Sequence, residues 1–430
     1  MDYNQTIEFL FNQLADFSRQ GASGYKPGLE RVERLAEAFG NPHRRLKTIH
    51  VAGTNGKGST CHTLASILQK AGYTTGLFTS PHLLDFRERI RVNGRMIPRE
   101  RVVDFTERYL RMDFGQLNPS FFELTTVMAL EYFADCGVDY AIIEVGLGGR
   151  LDSTNIISPL LSVITNISLD HTDLLGDTPA KIAAEKAGII KPDTPVVIGE
   201  TTPETRDVFL TKARQENAPI FFAQEPSPIL ETTKAGNFLR YQTAAHGLIY
   251  GQLSGDCQPL NAATVLTAVD RLRELGLKIS DKNIRQGFAA VEEMTGLKGR
   301  WTQLSESPRV IYDTAHNPGG WQYIVSQLRE TPGRKHLVIG FVGDKDVDEI
   351  LRLASSIPDA EYYLCQPSSH RALPVAELRG KAERTGLKHI SAFPTVAEAY
   401  ENALARAGEG DTVFVGGSNY VVADMLESIG

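Results

Sequence analysis

Three observations predict an α/β protein in two domains. Strand-like and helix-like segments alternate along the chain, as parallel sheets flanked by helices require. One apolar strand runs directly into a glycine-rich turn carrying a lysine and hydroxyls, Ile49-His-Val-Ala-Gly-Thr-Asn-Gly-Lys-Gly-Ser59. The alternation restarts behind Met294-Thr-Gly-Leu-Lys-Gly-Arg300, whose two glycines after a helix read as a hinge. The predicted architecture is a P-loop domain with a mainly parallel sheet over residues 1–297 and a smaller Rossmann-like α/β C-terminal domain over 298–430. Two domains also suit the length, because 430 residues are many for one core.

In the first domain the pattern places strands at Thr48–Ala52, Thr75–Thr79, Tyr140–Val145, Leu161–Asn166 and Val196–Gly199, with helices at Phe121–Asp135 and Thr178–Ala187. A helix follows the glycine-rich turn, since Leu64, Ile67, Leu68 and Ala71 recur on one face and Gly72 stops it. Arg240–Leu253 reads as short antiparallel strands and Asn261–Leu275 as an amphipathic helix. The second domain shows strands at Val310–Asp313, Leu337–Val342, Tyr362–Cys365 and Thr412–Val415, and a helix at Thr395–Ala407.

A net charge of 45 − 52 = −7 argues against nucleic acid or an anionic membrane as the main partner. A small anionic substrate then has to be captured by local positive charge. Cys61, Cys136, Cys257 and Cys365 lie far apart with no CxxC pair, which suggests neither a zinc site nor a disulfide framework. The start, Met-Asp-Tyr-Asn-Gln, lacks the basic and apolar regions of a signal peptide, and no run has the apolar length of a membrane span. A cytoplasmic protein is the expectation.

The glycine-rich turn is a phosphate cradle. Gly53, Gly56 and Gly58 let successive N–H groups turn toward an anion, Lys57 adds a positive charge, and the next helix offers its N-terminus. The pattern GxxxxGK[ST] is not met, because Val51 holds the first glycine position and Gly58 follows the lysine. Ser59 or Thr60 must then serve the metal. Beyond other strand ends, where open α/β sheets bind ligands, stand Ser80, Glu144 and His171. Together they offer oxygen and nitrogen ligands for a Mg²⁺–nucleotide site, although each also has an ordinary reading as a turn, paired or loop residue. By position alone Lys186 is a lysine complementing the end of a helix. Past the hinge, Arg300 and Asp313-Thr-Ala-His-Asn-Pro318 form a second polar cluster, in which Asp313 and His316 could equally close a turn and cap a helix from Gly319.

These residues together resemble the folylpolyglutamate synthase and dihydrofolate synthase branch of the Mur ligase superfamily over nearly the whole chain. Gly53-Thr-Asn-Gly-Lys-Gly-Ser59 resembles that branch's phosphate loop, including the glycine after the lysine. Thr79-Ser-Pro-His-Leu83 with Glu88-Arg-Ile90, Ser120-Phe-Phe-Glu123, Glu144–Asp152, Asp170-His171, Glu185-Lys-Ala-Gly188 and Asp313–Pro318 follow in the family's order. The resemblance implies nucleotide contacts at Gly53, Thr54, Asn55, Gly56, Lys57, Gly58, Ser59 and Thr60, with Asn261, Arg300, Asp313 and His316 holding the nucleotide across the interdomain cleft. It implies metal ligation by Ser80, Glu144 and His171, catalytic roles for Lys57, Lys186 and His171, and a pteridine pocket at Phe122, Glu123, Arg150 and Asp152. It also implies that Lys186 is carbamylated, contrary to its positional reading. Ser153 stands where alanine is common in the family.

The implied activity is ATP-dependent amide ligation of L-glutamate to a dihydropteroate or reduced-folate carboxylate through an acyl phosphate. ATP, Mg²⁺ and a monovalent cation such as K⁺ are the implied cofactors, and the chain is expected to act as a monomer. A peptidoglycan amino-acid ligase is the nearest rival, set lower because only 52 residues precede Gly53. A rival of another class is a nucleotide-dependent regulatory or binding protein without catalysis, against which the presence of Lys57, Glu144, His171 and Lys186 speaks.

Overall fold

The computed structural model describes residues 1–15, 26–114, 117–343 and 346–430. The chain divides into two compact units, Met1–Gln252 with Gln258–Leu297, and Lys298–Gly430 with Leu253–Cys257. The linear reading did not foresee that Leu253–Cys257 joins the second unit. Side-chain bonds tie it there: Gln327 Oε1 accepts from Asp256 N at 2.9 Å and Gln327 Nε2 donates to Ser254 O at 3.3 Å.

The first unit holds β1 (Thr48–Ala52), β2 (Thr75–Phe78), β3 (Ile90–Val92), β4 (Arg95–Met96), β5 (Tyr140–Glu144), β6 (Leu161–Ile164), β7 (Val196–Ile198) and β8 (Ile220–Phe222). They form one sheet in the order β4-β3-β2-β5-β1-β6-β7-β8. All its pairings are parallel except the β2-β3-β4 edge, which is antiparallel. Central β1 is buried along its whole length, as a parallel strand covered on both faces must be. Three helices matter for the site, α1 (Lys57–Lys70), α2 (Phe121–Asp135) and α3 (Pro179–Ala187). Residues Gly58–Leu68 of α1 are all buried, so this helix is a core element rather than a surface one. Its apolar residues join those of β1, β5 and β6 in one core, while α2, through Phe133 among others, shares a second core with Phe78 and Phe105.

The strands expected around Arg240–Leu253 begin earlier. β9 (Ile229–Ala235), β10 (Phe238–Thr243) and β11 (Leu248–Gly251) make a separate antiparallel sheet. It is followed by α4 (Gln258–Glu274) and α5 (Asp281–Ala289). In the second unit β12 (Thr302–Glu306), β13 (Arg309–Asp313), β14 (Lys335–Ile339), β15 (Ala360–Cys365), β16 (Ile390–Phe393) and β17 (Thr412–Gly416) are ordered β12-β13-β17-β14-β15-β16. That sheet is parallel except for the antiparallel edge strand β12. The architecture is thus α/β with a large, mainly parallel sheet and a second sheet domain, as predicted. Among the described residues no helix is long and apolar enough to cross a membrane.

The antiparallel sheet is fastened to its helices through His246, in the turn between β10 and β11. Its Nδ1 lies 3.1 Å from Asp281 Oδ1, at the start of α5, and its Nε2 lies 3.3 Å from Asp270 Oδ1 on α4. Arg273 Nη2 donates to the same Asp281 oxygen at 2.7 Å, and Arg285 Nη1 to His246 O at 3.2 Å. The nearby carboxylate of Asp270, and then that of Asp281, raises the His246 pKa above 6.5 against the opposing effects of burial and of Arg273. A raised folded-state pKa gives stabilisation that is complete below the unfolded value and is lost as pH climbs through the folded one. The Tm advantage of the wild type over His246→Asn is therefore expected to be largest near about pH 6 and to shrink toward about pH 8.5. A constant or growing advantage in thermal unfolding across that range contradicts this clasp.

Candidate active site

The phosphate loop leaves β1 at Ala52 and enters α1 at Lys57. Gly56 has φ 81° and among the described residues no side chain caps the helix, so its first N–H groups face the turn without a side-chain acceptor there. A Cβ at Gly53 would fall 1.8 Å from Thr165 Oγ1, and one at Gly56 would fall 2.2 Å from Asn261 Oδ1. Only glycine fits either place. Lys57 Nζ folds back over the loop and donates to Gly53 O and Thr54 O, both at 3.1 Å. An ammonium held on carbonyl oxygens beside an uncapped helix start is a site for phosphate oxygens.

Residues just beyond β6 hold this loop in shape. Asn166 O accepts from Thr54 N at 2.9 Å, Asn166 Oδ1 accepts from Asn55 N at 2.8 Å, and Thr165 Oγ1 donates to Asn55 O at 2.5 Å. Asn166 Nδ2 donates to Glu200 Oε1 at 3.1 Å, which fixes which way the amide faces. Ser168 adds Oγ, accepting from Asn55 Nδ2 at 3.2 Å. From α4, Asn261 Nδ2 donates to Gln258 Oε1 at 3.1 Å, and Gln258 Nε2 lies 3.4 Å from Ser59 Oγ. Asn261 therefore stands over Gly56, beside the loop it was expected to serve. Thr60 Oγ1 is buried without a hydrogen-bond partner among the described residues. Sequence reasoning missed Asn166, Glu200 and Gln258 as supports; their only signal was the placement of Asn166 at a strand end.

The charged residues gather next to this loop. Glu144 ends β5 and is buried, with Oε2 accepting from Ser80 N at 3.1 Å. Cys61 lies beneath: burial raises its thiol pKa, the Glu144 charge adds to the rise and Lys57 opposes it. Lys186 is only 4% exposed. Burial lowers its amine to about 7, helped by the charge of Lys57 and opposed by Asp170, Asp152 and Glu185. Its neighbours in charge are thus Lys57 on one side and three carboxylates on the other. His171 sits in the left-handed region at φ 51°, just before the short helix Thr172–Leu175, and its N–H donates to Asp170 Oδ1 at 3.0 Å. Among the described residues no three His, Cys, Asp or Glu side chains are gathered closely enough to hold a metal by themselves. The hydroxyl of Ser80 and the carboxylate of Glu144 nonetheless suit a hard cation that completes its shell with water and phosphate oxygens.

The four residues of the expected pteridine pocket are not used alike. The Phe122 ring lies over Gly146, where a Cβ would fall 2.4 Å from its Cζ, and 5.8 Å from the Phe78 ring. Asp152 is buried in the same Gly146–Asp152 loop, accepting from Leu147 N at 2.8 Å and Thr154 N at 3.0 Å. Glu123 instead closes the capping box of α2, with Oε2 2.6 Å from Ser120 N, and Arg31 Nε lies 3.0 Å from its Oε1. Arg150 is exposed and paired with Glu185 at 2.8 Å.

In the second unit Asp313 ends β13, accepting from Trp301 N at 2.7 Å and Ala315 N at 2.8 Å. Burial raises its pKa, while Arg300, those two backbone bonds and His316 oppose the rise. Arg300, which also bonds Thr314 Oγ1, and His316 thus share its electrostatic surroundings. Neither Asp313 nor His316 caps the following helix, α6 (Pro318–Glu330); the cap is Asn317, whose side chain accepts from Gly320 N at 2.9 Å.

Comparison with known proteins places this geometry. The Mur ligase middle domain matches residues 51–246, and the Mur ligase glutamate ligase domain matches residues 299–419. The dihydrofolate synthase/folylpolyglutamate synthase of Escherichia coli (strain K12) is 37% identical over 416 residues, spanning 94% of this chain and 91% of that protein. The structure of E. coli FolC in complex with DHPP and ADP is similar at a TM-score of 0.85 and 35% identity, over 100% of this chain and 98% of that one. The bifunctional folylpolyglutamate synthase/dihydrofolate synthase of Yersinia pestis, complexed with AMPPNP and Mn ion, gives a TM-score of 0.84 at 31% identity, over 100% and 98%. On this identity and coverage, the chain belongs to the folylpolyglutamate synthase/dihydrofolate synthase family of the Mur ligases.

Proposed function

We propose that this chain is an ATP-dependent ligase that joins L-glutamate to the carboxylate of dihydropteroate and of reduced folates, combining dihydrofolate synthase and folylpolyglutamate synthase activities. The observation that carries this reading is the braced, uncapped phosphate loop with Lys57 at its mouth and Glu144, Ser80 and buried Lys186 beside it. That arrangement suits transfer of a phosphoryl group more than any side-chain nucleophile.

A carboxylate does not react with an amine at neutral pH, because its carbonyl is unelectrophilic and oxide is a poor leaving group. In the proposed reaction a substrate carboxylate oxygen attacks the γ-phosphorus of ATP, the bridging oxygen leaves with ADP, and an acyl phosphate remains. The glutamate amine then adds to the acyl carbon, loses a proton, and expels phosphate carrying one former carboxylate oxygen. Lys57 and the N–H groups of α1 balance charge on the transferring group. Ser80, Glu144 and His171 would hold Mg²⁺, which when bound neutralises the phosphate oxygens. Phe122 and Asp152 border the pteridine, and Asn261, Arg300, Asp313 and His316 serve the nucleotide. A monovalent cation such as K⁺ belongs to the same proposal. Small molecules are its partners, nucleic acid and membranes are not, and it acts as a cytoplasmic monomer.

Lys186 is proposed to be carbamylated. Carbamate formation with CO₂ requires the neutral amine, and burial that lowers the ammonium pKa to about 7 supplies a large neutral fraction near neutrality. The resulting carboxylate would add an anionic oxygen beside Lys57, in place of a second buried cation.

The direct test is mass spectrometry of products from dihydropteroate and from tetrahydrofolate, each with ATP and L-glutamate. Addition of one glutamyl residue to either substrate with one ADP released per amide is expected. ATP hydrolysis without ligation, or no turnover of either pteridine, overturns the proposal. The two lysines separate further. Lys57→Ala is expected to lose at least ~100-fold in turnover while staying folded. Lys186→Ala is expected to be inactive, folded, and partly rescued by added small carboxylates, whereas Lys57→Ala is not rescued. Near wild-type turnover of either variant contradicts its assigned role.

A further inference from the structure

A buried hydrogen-bond chain leads from the strand that delivers the phosphate loop to the loop that carries Asp152. His50 lies on β1 and is fully buried, and its Nε2 is 2.8 Å from Thr154 Oγ1. Thr154 Oγ1, also fully buried, donates to Asp152 Oδ1. The direction of this chain follows from proton inventory. Asp152 accepts from Leu147 N and from Thr154 N, and these bonds with that from the Thr154 hydroxyl favour the carboxylate as an acceptor against the burial that raises its pKa. The single hydroxyl proton of Thr154 is spent on Asp152, and the hydroxyl oxygen can then only accept from His50. His50 must carry its proton on Nε2. The other ring nitrogen agrees, because Nδ1 is buried with no hydrogen-bond partner among the described residues, a tolerable place for a bare nitrogen and a poor one for an N–H. An imidazolium is excluded too: burial, with the nearby Lys191 charge, lowers the His50 pKa to about 3.

We propose that His50 is a positioning residue for the pteridine-bearing substrate, acting through Thr154 to commit Asp152 Oδ1 inward and so to set the Gly146–Asp152 loop against Phe122. This rests on the proposed pteridine role of Phe122 and Asp152. The chain of donors ends on Asp152 and includes none of the groups that hold the phosphate loop. Breaking it should therefore alter recognition of the pteridine and leave recognition of ATP.

The experiment measures KM for dihydropteroate and for ATP, with kcat and Tm, in wild type, His50→Leu, His50→Gln, Thr154→Val and Thr154→Ser. Glutamine can present an amide N–H near the position of Nε2–H, serine keeps the relaying hydroxyl, and valine copies the shape of threonine without it. His50→Leu and Thr154→Val are expected to raise KM for dihydropteroate roughly tenfold with KM for ATP within about twofold of wild type. His50→Gln and Thr154→Ser are expected to recover most of that loss. Unchanged KM for dihydropteroate in the folded Thr154→Val variant overturns the proposal, as does a parallel rise in both KM values without rescue, which marks a merely structural chain. Nitrogen-15 spectroscopy of the histidine rings supplies a readout independent of turnover. It should show His50 as the neutral Nε2–H tautomer, and an Nδ1–H tautomer overturns the proposal even if variants fail to fold. Failure of the underlying functional reading looks different: the wild type itself then does not turn over dihydropteroate.

Discussion

Asn166 holds the phosphate loop by its own backbone and side chain at once, and the remaining site geometry depends on that hold. Its carbonyl takes Thr54 N, its side-chain oxygen takes Asn55 N, and its amide nitrogen is anchored on Glu200. With those two N–H groups satisfied inside the protein, the loop curls in one way, and the uncapped start of α1 is left to face the phosphate site. The brace is built at the carboxyl edge of the sheet, where β1, β5 and β6 end side by side. Glu144 from β5 and the residues beyond β6 consequently stand at neighbouring strand ends.

Burial then decides what the charges there can do. Lys57 and Lys186 are two cations in one electrostatic neighbourhood, which low dielectric makes unfavourable unless one of them is neutral or phosphate is bound. The structure resolves this by burying Lys186 and leaving Lys57 half-buried on loop carbonyls. Deep burial also makes Lys186 the cation whose charge is most readily given up. A pair of equivalent surface lysines would bind phosphate but would give neither one a reason to lose its charge.

Much of the fold was legible in the sequence. Thr48–Ala52 and Phe121–Asp135 stand at their expected bounds, the first as an apolar strand that runs directly into a glycine-rich turn. The strand read as Leu161–Asn166 overshoots because Thr165 and Asn166 turn their polar groups to the phosphate loop instead of continuing a regular ladder. Short strands such as β3, β4 and β16, at or next to a sheet edge, carry too few residues for an alternating pattern to declare itself. At the candidate site, motif order singled out Lys57, Glu144 and Lys186, whereas the braces escaped because their partners lie far away in sequence, as Asn166 does from Asn55. Glu123, expected at the pteridine, spends one carboxylate oxygen on the capping box of its own helix, a local contact that the family motif does not announce.

The central claim is that this braced loop serves to activate a carboxylate as an acyl phosphate. Oxygen-isotope transfer tests it most directly: dihydropteroate labelled with ¹⁸O in both carboxylate oxygens is turned over with unlabelled ATP and L-glutamate, and the released phosphate is analysed by mass. One labelled oxygen in each phosphate formed is the predicted result, because the bond between that oxygen and carbon breaks when the amine displaces phosphate. Phosphate free of label, with amide formed, would contradict the account.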